Sequence, residues 1–256
     1  MYISGAPDWK LFGRKDINVK KRLWLHFTAV VMTMVMFIAM AVPAFAVTET
    51  KAVEAQAVTT VIQGKKKKTI FIGDSRTANL RQVRHDGKLI YDLLQQDGSI
   101  LWDFKWGATF VDLTTTLVPR LEMNGLDTID NKTKIVLWMG YNDTGNTPTA
   151  VVEEYIAYYN VMAMTWIARG AKVYVMNVGP AGRMPGASKK QKTEFNNRNK
   201  TVRTFNEKLS TGLLPQIEYI DCYGYLKDTG YGTTDGTHYN ASTSKKIYSF
   251  ALNAIR

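Results

Sequence analysis

The sequence predicts an α/β protein, a three-layer α/β/α sandwich built on a parallel sheet. From Thr69 onward, short apolar runs alternate with longer amphipathic stretches, which is the pattern of repeated βαβ units. Polar residues follow several of the predicted strands, and open parallel sheets bind their ligands beyond the carboxyl ends of the strands. These observations set both the expected fold and the place to look for a site.

The predicted strands are short apolar runs. They are TIFIG (69–73), KIVLWMG (134–140), KVYVMNVG (172–179) and IEYID (217–221), and KLIYD (88–92) is taken as a further strand.

Three helices are predicted between and after these strands. Thr147 and Pro148 supply an N-cap and a first helical residue, and Gly170 ends that helix. Its apolar residues recur at helical spacing and are expected to pack in the core: Val152, Tyr155, Tyr159, Met162 and Trp166. A second helix is predicted over 191–213 and a last one over 242–255.

Residues 1–46 are expected to be a secretory signal peptide or an N-terminal membrane anchor. Basic residues precede a long apolar stretch, and Ala44-Phe45-Ala46 is a small-x-small cleavage site. The apolar stretch is also long enough to span a bilayer. Residues 47–68 are interpreted as a flexible linker and 69–256 as the folded domain, which is expected to lie outside the cytoplasm, with membrane contact only through the N-terminal segment.

Composition excludes several kinds of partner. The net charge is +11, and residues 47–256 keep 27 Lys and Arg against 20 Asp and Glu. No nucleic-acid motif occurs and no basic stripe is interleaved with aromatic residues, so no nucleic-acid partner is expected. No cofactor is expected, since Gly64-Lys65 lacks the earlier glycine of a phosphate-binding loop. The single cysteine, Cys222, excludes an internal disulfide and is expected to be buried.

Three predicted strand ends and loops carry reactive groups. Ser75 follows the first strand, Asn142 follows KIVLWMG, and Asp235 lies three residues before His238. Only three histidines occur in the chain. One lies in the signal segment and His85 falls at the predicted end of the helix after Ser75, where a surface position is expected. A general base for a serine enzyme must therefore be His238.

These residue types suit acyl transfer. Asp235 can orient the imidazole of His238, which then takes the proton of Ser75. The developing oxyanion needs donors, and the candidates are the Ser75 N–H, the Asn142 amide and the N–H of Gly107 in FKWGATF. Gly98 is the competing glycine, but it lies where an ordinary turn is expected.

Ser75, Gly107, Asn142 and His238 together resemble the invariant blocks of the SGNH, or GDSL, hydrolase superfamily. FIGDS resembles the first block, GYND the third and DGTH the fifth, in the family's order, and the similarity covers residues 69–256. The resemblance implies a flavodoxin-like sheet and a metal-independent serine esterase. Export and a cationic surface add the expectation of O-acetyl esters on a carbohydrate or cell-wall glycan.

Other interpretations remain open. Ser75 alone could be a helix N-cap. Hydrolysis of lipid or lysophospholipid esters, or a non-catalytic glycan-binding module on the same fold, would also suit an exported protein. A two-metal phosphoesterase is excluded because the chain after residue 46 has only two histidines.

The roles of several residues near the predicted site are less defined by sequence. Asp74 is expected to be structural, and Asp143 is expected to support a neighbouring residue or cap a helix. Arg76 either selects a polar or anionic substrate or points to solvent. Three aromatic residues fall near predicted loops and suit either a shallow sugar-facing site or core packing: Trp102, Trp106 and Tyr141.

Overall fold

The computed structural model describes residues 68–85, 90–125, 129–145 and 148–256. They form a six-stranded sheet in the order β2-β3-β1-β4-β5-β6. The strands are β1 (Lys68–Gly73), β2 (Asp92–Asp97), β3 (Ile100–Lys105), β4 (Thr133–Trp138), β5 (Lys172–Met176) and β6 (Glu218–Ile220). The predicted signal or anchor and residues 47–67 of the predicted linker lie outside the described residues, and Lys68 belongs to β1 rather than to a linker.

The sheet confirms the predicted fold class, with one exception at its edge. β3, β1, β4, β5 and β6 are parallel and follow the flavodoxin-like order 2-1-3-4-5. β2 runs antiparallel to β3, so the sheet is mostly and not wholly parallel. Of the predicted strand KLIYD, Ile90 and Tyr91 lie outside any strand and Asp92 begins β2, so the prediction is wrong over the described residues; Lys88 and Leu89 lie outside them. A tight turn through Gly98, at φ +63°, joins β2 to β3.

Helices follow the strands. α1 spans Ser75–His85. α2 is a helical stretch in three parts, Phe110–Asp112, a π-helical turn Leu113–Leu117, and Val118–Gly125. The remaining helices are α3 (Pro148–Ile167), α4 (Lys189–Gly212), α5 (Cys222–Thr229) and α6 (Ala241–Ala254). The three predicted helices are confirmed within about two residues at each end, whereas the Thr147 cap and the His85 side chain lie outside the described residues.

Two hydrophobic cores separate the helices into layers, because alternate strand residues point to opposite faces of the sheet. Ile70 and Ile72 of β1 face a core completed by α2, α3 and α4. Phe71 faces the other core, completed by α1, α5 and α6. The predicted aromatic residues of α3 are buried in the first core, with Met162 packed against it.

The second core contains two residues, Cys222 and Trp102, whose surroundings were considered in the sequence analysis. Cys222 is fully buried, as predicted, and burial raises the pKa of its thiol to about 12. Trp102 is fully buried in β3 and stacks on Phe71, so of the two alternatives that the sequence left open for it, core packing is the one observed. Within the described ranges, no helix is long and apolar enough to span a lipid bilayer.

Candidate active site

The turn between β1 and α1 is compact, and its sequence explains why. A Cβ on Gly73 would lie 1.9 Å from Thr77 Oγ1 and 2.7 Å from the Trp138 carbonyl, so only glycine fits there. The Asp74 carboxylate accepts a hydrogen bond from the Arg76 N–H at 2.9 Å, and the Asp74 carbonyl accepts from Ala78. Asp74 is therefore the N-cap of α1, and Ser75 is its first helical residue, with its hydroxyl free of the capping role.

Ser75, His238 and Asp235 form one hydrogen-bonded chain. His238 Nε2 lies 3.0 Å from Ser75 Oγ, and His238 Nδ1 lies 2.6 Å from Asp235 Oδ2. Ser75 is 3% exposed, whereas the Asp235 side chain is half exposed. The structure thus brings together the three residues predicted to act as nucleophile, base and orienting carboxylate.

The loop that carries Asp235 and His238 is closed on itself. The N–H of Thr234 donates to the His238 carbonyl at 2.9 Å, and Thr233 pairs with Tyr239 in an antiparallel bridge. Gly236, at φ +89°, lets the loop turn under the ring of Phe195, whose Cζ would lie 2.1 Å from a Cβ at this position. The folded loop therefore holds the Asp235 carboxylate beside the His238 imidazole.

Hydrogen bonds keep Asp235 ionised. Burial acts to raise its pKa, but the His238 side chain and the N–H groups of His238 and Thr237 outweigh this effect, and the pKa lies below its usual range. An ionised carboxylate can only accept hydrogen bonds. Nδ1 of His238 therefore carries the proton in this pair, which leaves Nε2 as an acceptor for the Ser75 hydroxyl.

The predicted oxyanion donors follow three neighbouring strands. Ser75 follows β1, and its N–H is among those at a helix N-terminus that have no partner within the helix. Gly107 follows β3 at φ +72° and is exposed, and Asn142 follows β4. The Asn142 amide donates to the carbonyl of Ala108 at 2.8 Å, so it lies beside the Gly107 turn.

Asp143 ties the same two loops together. Its Oδ2 accepts hydrogen bonds from the Phe110 N–H at 3.1 Å and from the Tyr155 hydroxyl at 2.8 Å. It thus caps the start of α2 and supports the Asn142 segment, as predicted. The Tyr155 contact was not predicted, because helical spacing identifies a core position but not the partner of its hydroxyl.

Trp106 packs directly on the candidate base. Its indole stacks on the His238 imidazole with ring centroids 4.5 Å apart, and Tyr91 meets it edge-on. An open cleft of about 470 Å³ lies beside this stack. Its lining comes from α1, the 234–238 loop and the start of α6: Asn79, Gln82, Val83, Trp106, Thr234, Asp235, His238, Tyr239, Ala241 and Ser244.

Arg76 is buried rather than directed to solvent. Its side chain is 2% exposed and its guanidinium lies over the Tyr141 ring, 3.7 Å from the centroid. Tyr141 is itself buried, with its hydroxyl 3.3 Å from Thr237 Oγ1. The sequence did not decide whether Arg76 and Tyr141 contact the substrate or lie away from it. In the structure both side chains are buried next to the candidate site.

The buried Asp74 carboxyl group has an altered acidity. Burial raises its pKa from 3.8 to about 6, against the opposing effects of Arg76 and His238.

Among the described residues, no three His, Cys, Asp or Glu side chains are grouped so that they could hold a metal ion.

A comparison with protein families shows which family the chain belongs to. Residues 70–250 match the model of the GDSL-like lipase/acylhydrolase family, which is most of the chain. The protein belongs to this family, and it is a carboxylic ester hydrolase. Comparison of the sequence with curated proteins gives no match.

The solved structures that resemble this chain are distant from it in sequence. A protein provisionally named an acylhydrolase, from Bacteroides fragilis, is 14% identical with a TM-score of 0.54 and covers 77% of this chain and 90% of its own. A lipase/acylhydrolase from Enterococcus faecalis is 16% identical with a TM-score of 0.45, covering 74% and 95%. A catalytic mutant of an acetylxylan esterase from Geobacillus stearothermophilus is 15% identical with a TM-score of 0.44, covering 75% and 95%.

Proposed function

We propose that the protein is a metal-independent serine esterase that works through an acyl-enzyme. The observation that carries the proposal is the chain from Ser75 Oγ to His238 Nε2, at 3.0 Å, and from His238 Nδ1 to Asp235, at 2.6 Å. A hydroxyl is a weak nucleophile at neutral pH unless a positioned base takes its proton. Both distances are within hydrogen-bond reach for this role.

The reaction has two halves. Ser75 Oγ attacks the ester carbonyl carbon while His238 Nε2 takes the hydroxyl proton. The tetrahedral intermediate then loses the alcohol as its C–O bond breaks, and His238 returns the proton to the alcohol oxygen. Water attacks the acyl-Ser75 ester with His238 again as base, which releases the acid and restores the serine.

The oxyanion of each intermediate is proposed to be held by the Ser75 N–H, the Gly107 N–H and the Asn142 amide. The contact of Asn142 with Ala108 supports this assignment, because it fixes one amide hydrogen and leaves the second available. The tie between Asp143 and the Phe110 N–H holds the two loops at a constant separation. Donors fixed before the reaction need no rearrangement as charge develops.

We propose that the substrate is an O-acetyl ester on a carbohydrate or cell-wall glycan. The alcohol must leave next to His238, which protonates it, and the cleft beside His238 offers amide groups of Asn79 and Gln82 and the hydroxyl group of Thr234. These groups suit the hydroxyls of a sugar. No Lys or Arg stands among the described residues that line the cleft, so a lysophospholipid phosphate would meet no cation there.

Covalent labelling tests the nucleophile. An alkyl fluorophosphonate should give one adduct on Ser75 of the purified protein, and Ser75→Ala should lose both the adduct and hydrolysis of p-nitrophenyl acetate. Ser210→Ala, at an exposed serine of α4, is the matched control and should label normally. EDTA should leave activity unchanged. An active Ser75→Ala variant, or an adduct elsewhere, would overturn the proposal.

Acyl-chain length tests the substrate class. Rates on p-nitrophenyl acetate should exceed those on p-nitrophenyl octanoate, and acetylated sugars should be substrates. A strong preference for octanoate would favour lipid or lysophospholipid hydrolysis instead.

We further propose that the folded domain acts outside the cytoplasm. The sequence of residues 1–46 supports export, with cleavage after Ala46 or retention as an anchor. N-terminal sequencing of protein recovered from outside the cell should begin at Val47 if the segment is cleaved. Recovery only in the cytoplasm would contradict this proposal.

A further inference from the structure

The buried side chain of Arg76 connects the turn of Ser75 to two other loops. Its Nη1 donates to the carbonyl of Gly179, beyond β5, at 2.7 Å, and its Nε donates to the carbonyl of Thr237 at 3.2 Å. Its own N–H is held by Asp74. One side chain therefore joins three segments at the carboxyl edge of the sheet.

Two aromatic rings complete the surroundings of this guanidinium. Arg76 lies 3.7 Å from the ring centroid of Tyr141, which follows β4, and 4.8 Å from that of Tyr239. The Tyr239 hydroxyl donates to the Pro180 carbonyl at 2.8 Å, so this ring is fixed as well. Cation–π contacts of this kind are strongest where water is excluded.

Apart from Gly179, the partners of Arg76 share one property: each is adjacent in sequence to a residue of the proposed site. Arg76 itself follows Ser75, and Tyr141 precedes Asn142. Thr237 and Tyr239 lie on either side of His238. A shift of any of these contacts would therefore reach a reacting group through a single peptide link.

The fold alone gives little reason for an arginine here. Among the described residues, no carboxylate forms an ion pair with Arg76, although the Asp74 carboxyl interacts with it electrostatically, and its Nη2 is buried without a hydrogen-bond partner. A charge buried in this way is unfavourable for stability, and an apolar residue of similar length is often as stable or more so. A role in positioning the loops accounts for an arginine at this position, which packing alone does not favour.

We propose that Arg76 is a positioning residue, which holds Ser75, Asn142 and His238 in the geometry that acyl transfer requires. The proposal rests on the proposed function of these three residues. Misplacement of reacting groups by about 1 Å can lower a rate about 100-fold. Arg76 thus acts on the chemical step and not on substrate affinity.

The test compares Arg76→Leu, Arg76→Lys and Arg76→Ala with Arg84→Leu. Arg84 is the matched control, since it lies on the same helix and also stacks on a tyrosine, Tyr248, away from the loops. For p-nitrophenyl acetate, Arg76→Leu should lower kcat about 10- to 100-fold with KM nearly unchanged. Added methylguanidinium should restore part of the activity of Arg76→Ala, and the fluorophosphonate labelling rate should fall in parallel with kcat.

All variants are assayed well below their unfolding midpoints, so that loss of folded protein is measured separately. Arg76→Leu with a kcat within twofold of wild type, or a loss equal to its unfolded fraction, would overturn the proposal. A second measurement is independent of catalysis: the imidazole ¹⁵N resonances of His238 should shift in Arg76→Leu and not in Arg84→Leu. Unchanged resonances overturn the positioning role even if labelling of wild type shows that Ser75 is not the nucleophile.

Discussion

The imidazole of His238 and the indole of Trp106 lie face to face, with centroids 4.5 Å apart and 26° between the ring planes. The proposed reaction makes this imidazole a cation in each half. An aromatic face stabilises a nearby cation by about 0.5–2 kcal/mol. The stack therefore places a favourable surface against the ring at the moment it gains charge.

Replacing Trp106 should slow the chemical step. Trp106→Ala should lower kcat for p-nitrophenyl acetate about 2- to 30-fold, which is the cation–π range converted at about 1.36 kcal/mol per tenfold. Trp106→Phe should retain most of the activity. The control is Tyr225→Ala, which breaks the stack of Tyr225 on Phe250 away from the site. A Trp106→Ala variant with wild-type kcat would count against the role of this stack.

Asp235→Asn should abolish most of the activity. An amide can donate to Nδ1 of His238, which favours the tautomer with the proton on Nε2 and blocks proton transfer from Ser75. The change from carboxylate to amide at this place in a Ser-His-Asp triad typically lowers kcat about 10⁴-fold. Steady-state kinetics with active-site titration measures the effect. Asp228→Asn, an exposed change on α5, should leave kcat as it is.

Asn142→Ala tests the oxyanion donor. Loss of one donor should lower kcat about 10²- to 10³-fold with a small change in KM. Asp143→Asn should have a smaller effect, because it weakens only the tie to Phe110 and Tyr155. If Asn142→Ala lost less activity than Asp143→Asn, the Asn142 amide would not be the donor.

The pKa of Asp74 predicts a pH dependence of stability. Burial raises this pKa from 3.8 to about 6, so the folded protein holds the proton more tightly than the unfolded chain. The contribution of Asp74 to the free energy of unfolding is therefore fully present below about pH 4 and is lost as the pH rises through about 6. Asp74→Asn, which keeps an N-cap acceptor, should reduce this change in urea-unfolding experiments at several pH values. An identical pH profile in the variant would contradict the prediction.

Among the ion pairs of the described residues, the pair of Arg120 with Asp103 should be the most sensitive to removal of one partner. Asp103 is fully buried in β3, and Arg120 Nε donates to its Oδ1 at 2.7 Å. Arg120→Ala leaves this carboxylate unpaired and should lower the free energy of unfolding by about 3–5 kcal/mol. Lys208→Ala, which breaks an exposed pair with Glu153, should lower it by less than about 1 kcal/mol.

A double substitution distinguishes the cost of an unpaired buried charge from the loss of side-chain packing. Asp103→Leu combined with Arg120→Leu removes both charges and should be less destabilising than Arg120→Ala alone. Equal losses in the two variants would show that packing and not the unpaired charge dominates.

Sequence predicted the centre of the fold well because β1, β4 and β5 are buried on both faces and read as continuous apolar runs. The β2–β3 hairpin was missed. β2 is half-exposed and polar along much of its length. Its apolar residues, Leu93 and Leu94, come directly after KLIYD, so the sequence pattern does not mark where the strand begins. The Asp97-Gly98 turn was recognised, but its role in a hairpin depends on a strand that the pattern does not mark.

Some residues of the candidate site could be predicted from sequence and others could not. Residue chemistry and the scarcity of histidine pointed to Ser75, Asp235 and His238, and the structure brings them together. Sequence could not place Arg76, because a long side chain at a helix start reaches several loops and only tertiary packing selects among them. Trp106 was near the expected loops, but its stack on His238 depends on a contact 132 residues apart along the chain.

The burial of Cys222 has a practical consequence. As the chain's single cysteine, enclosed beneath β6 and α6, its thiol can react with a disulfide reagent only when the surrounding core opens. At reagent concentrations high enough for modification to outpace reclosing, the rate of thiol modification equals the rate of core opening, with no engineered label. Every variant described above carries this cysteine, so its conformational integrity can be measured on the same unlabelled protein as its esterase activity.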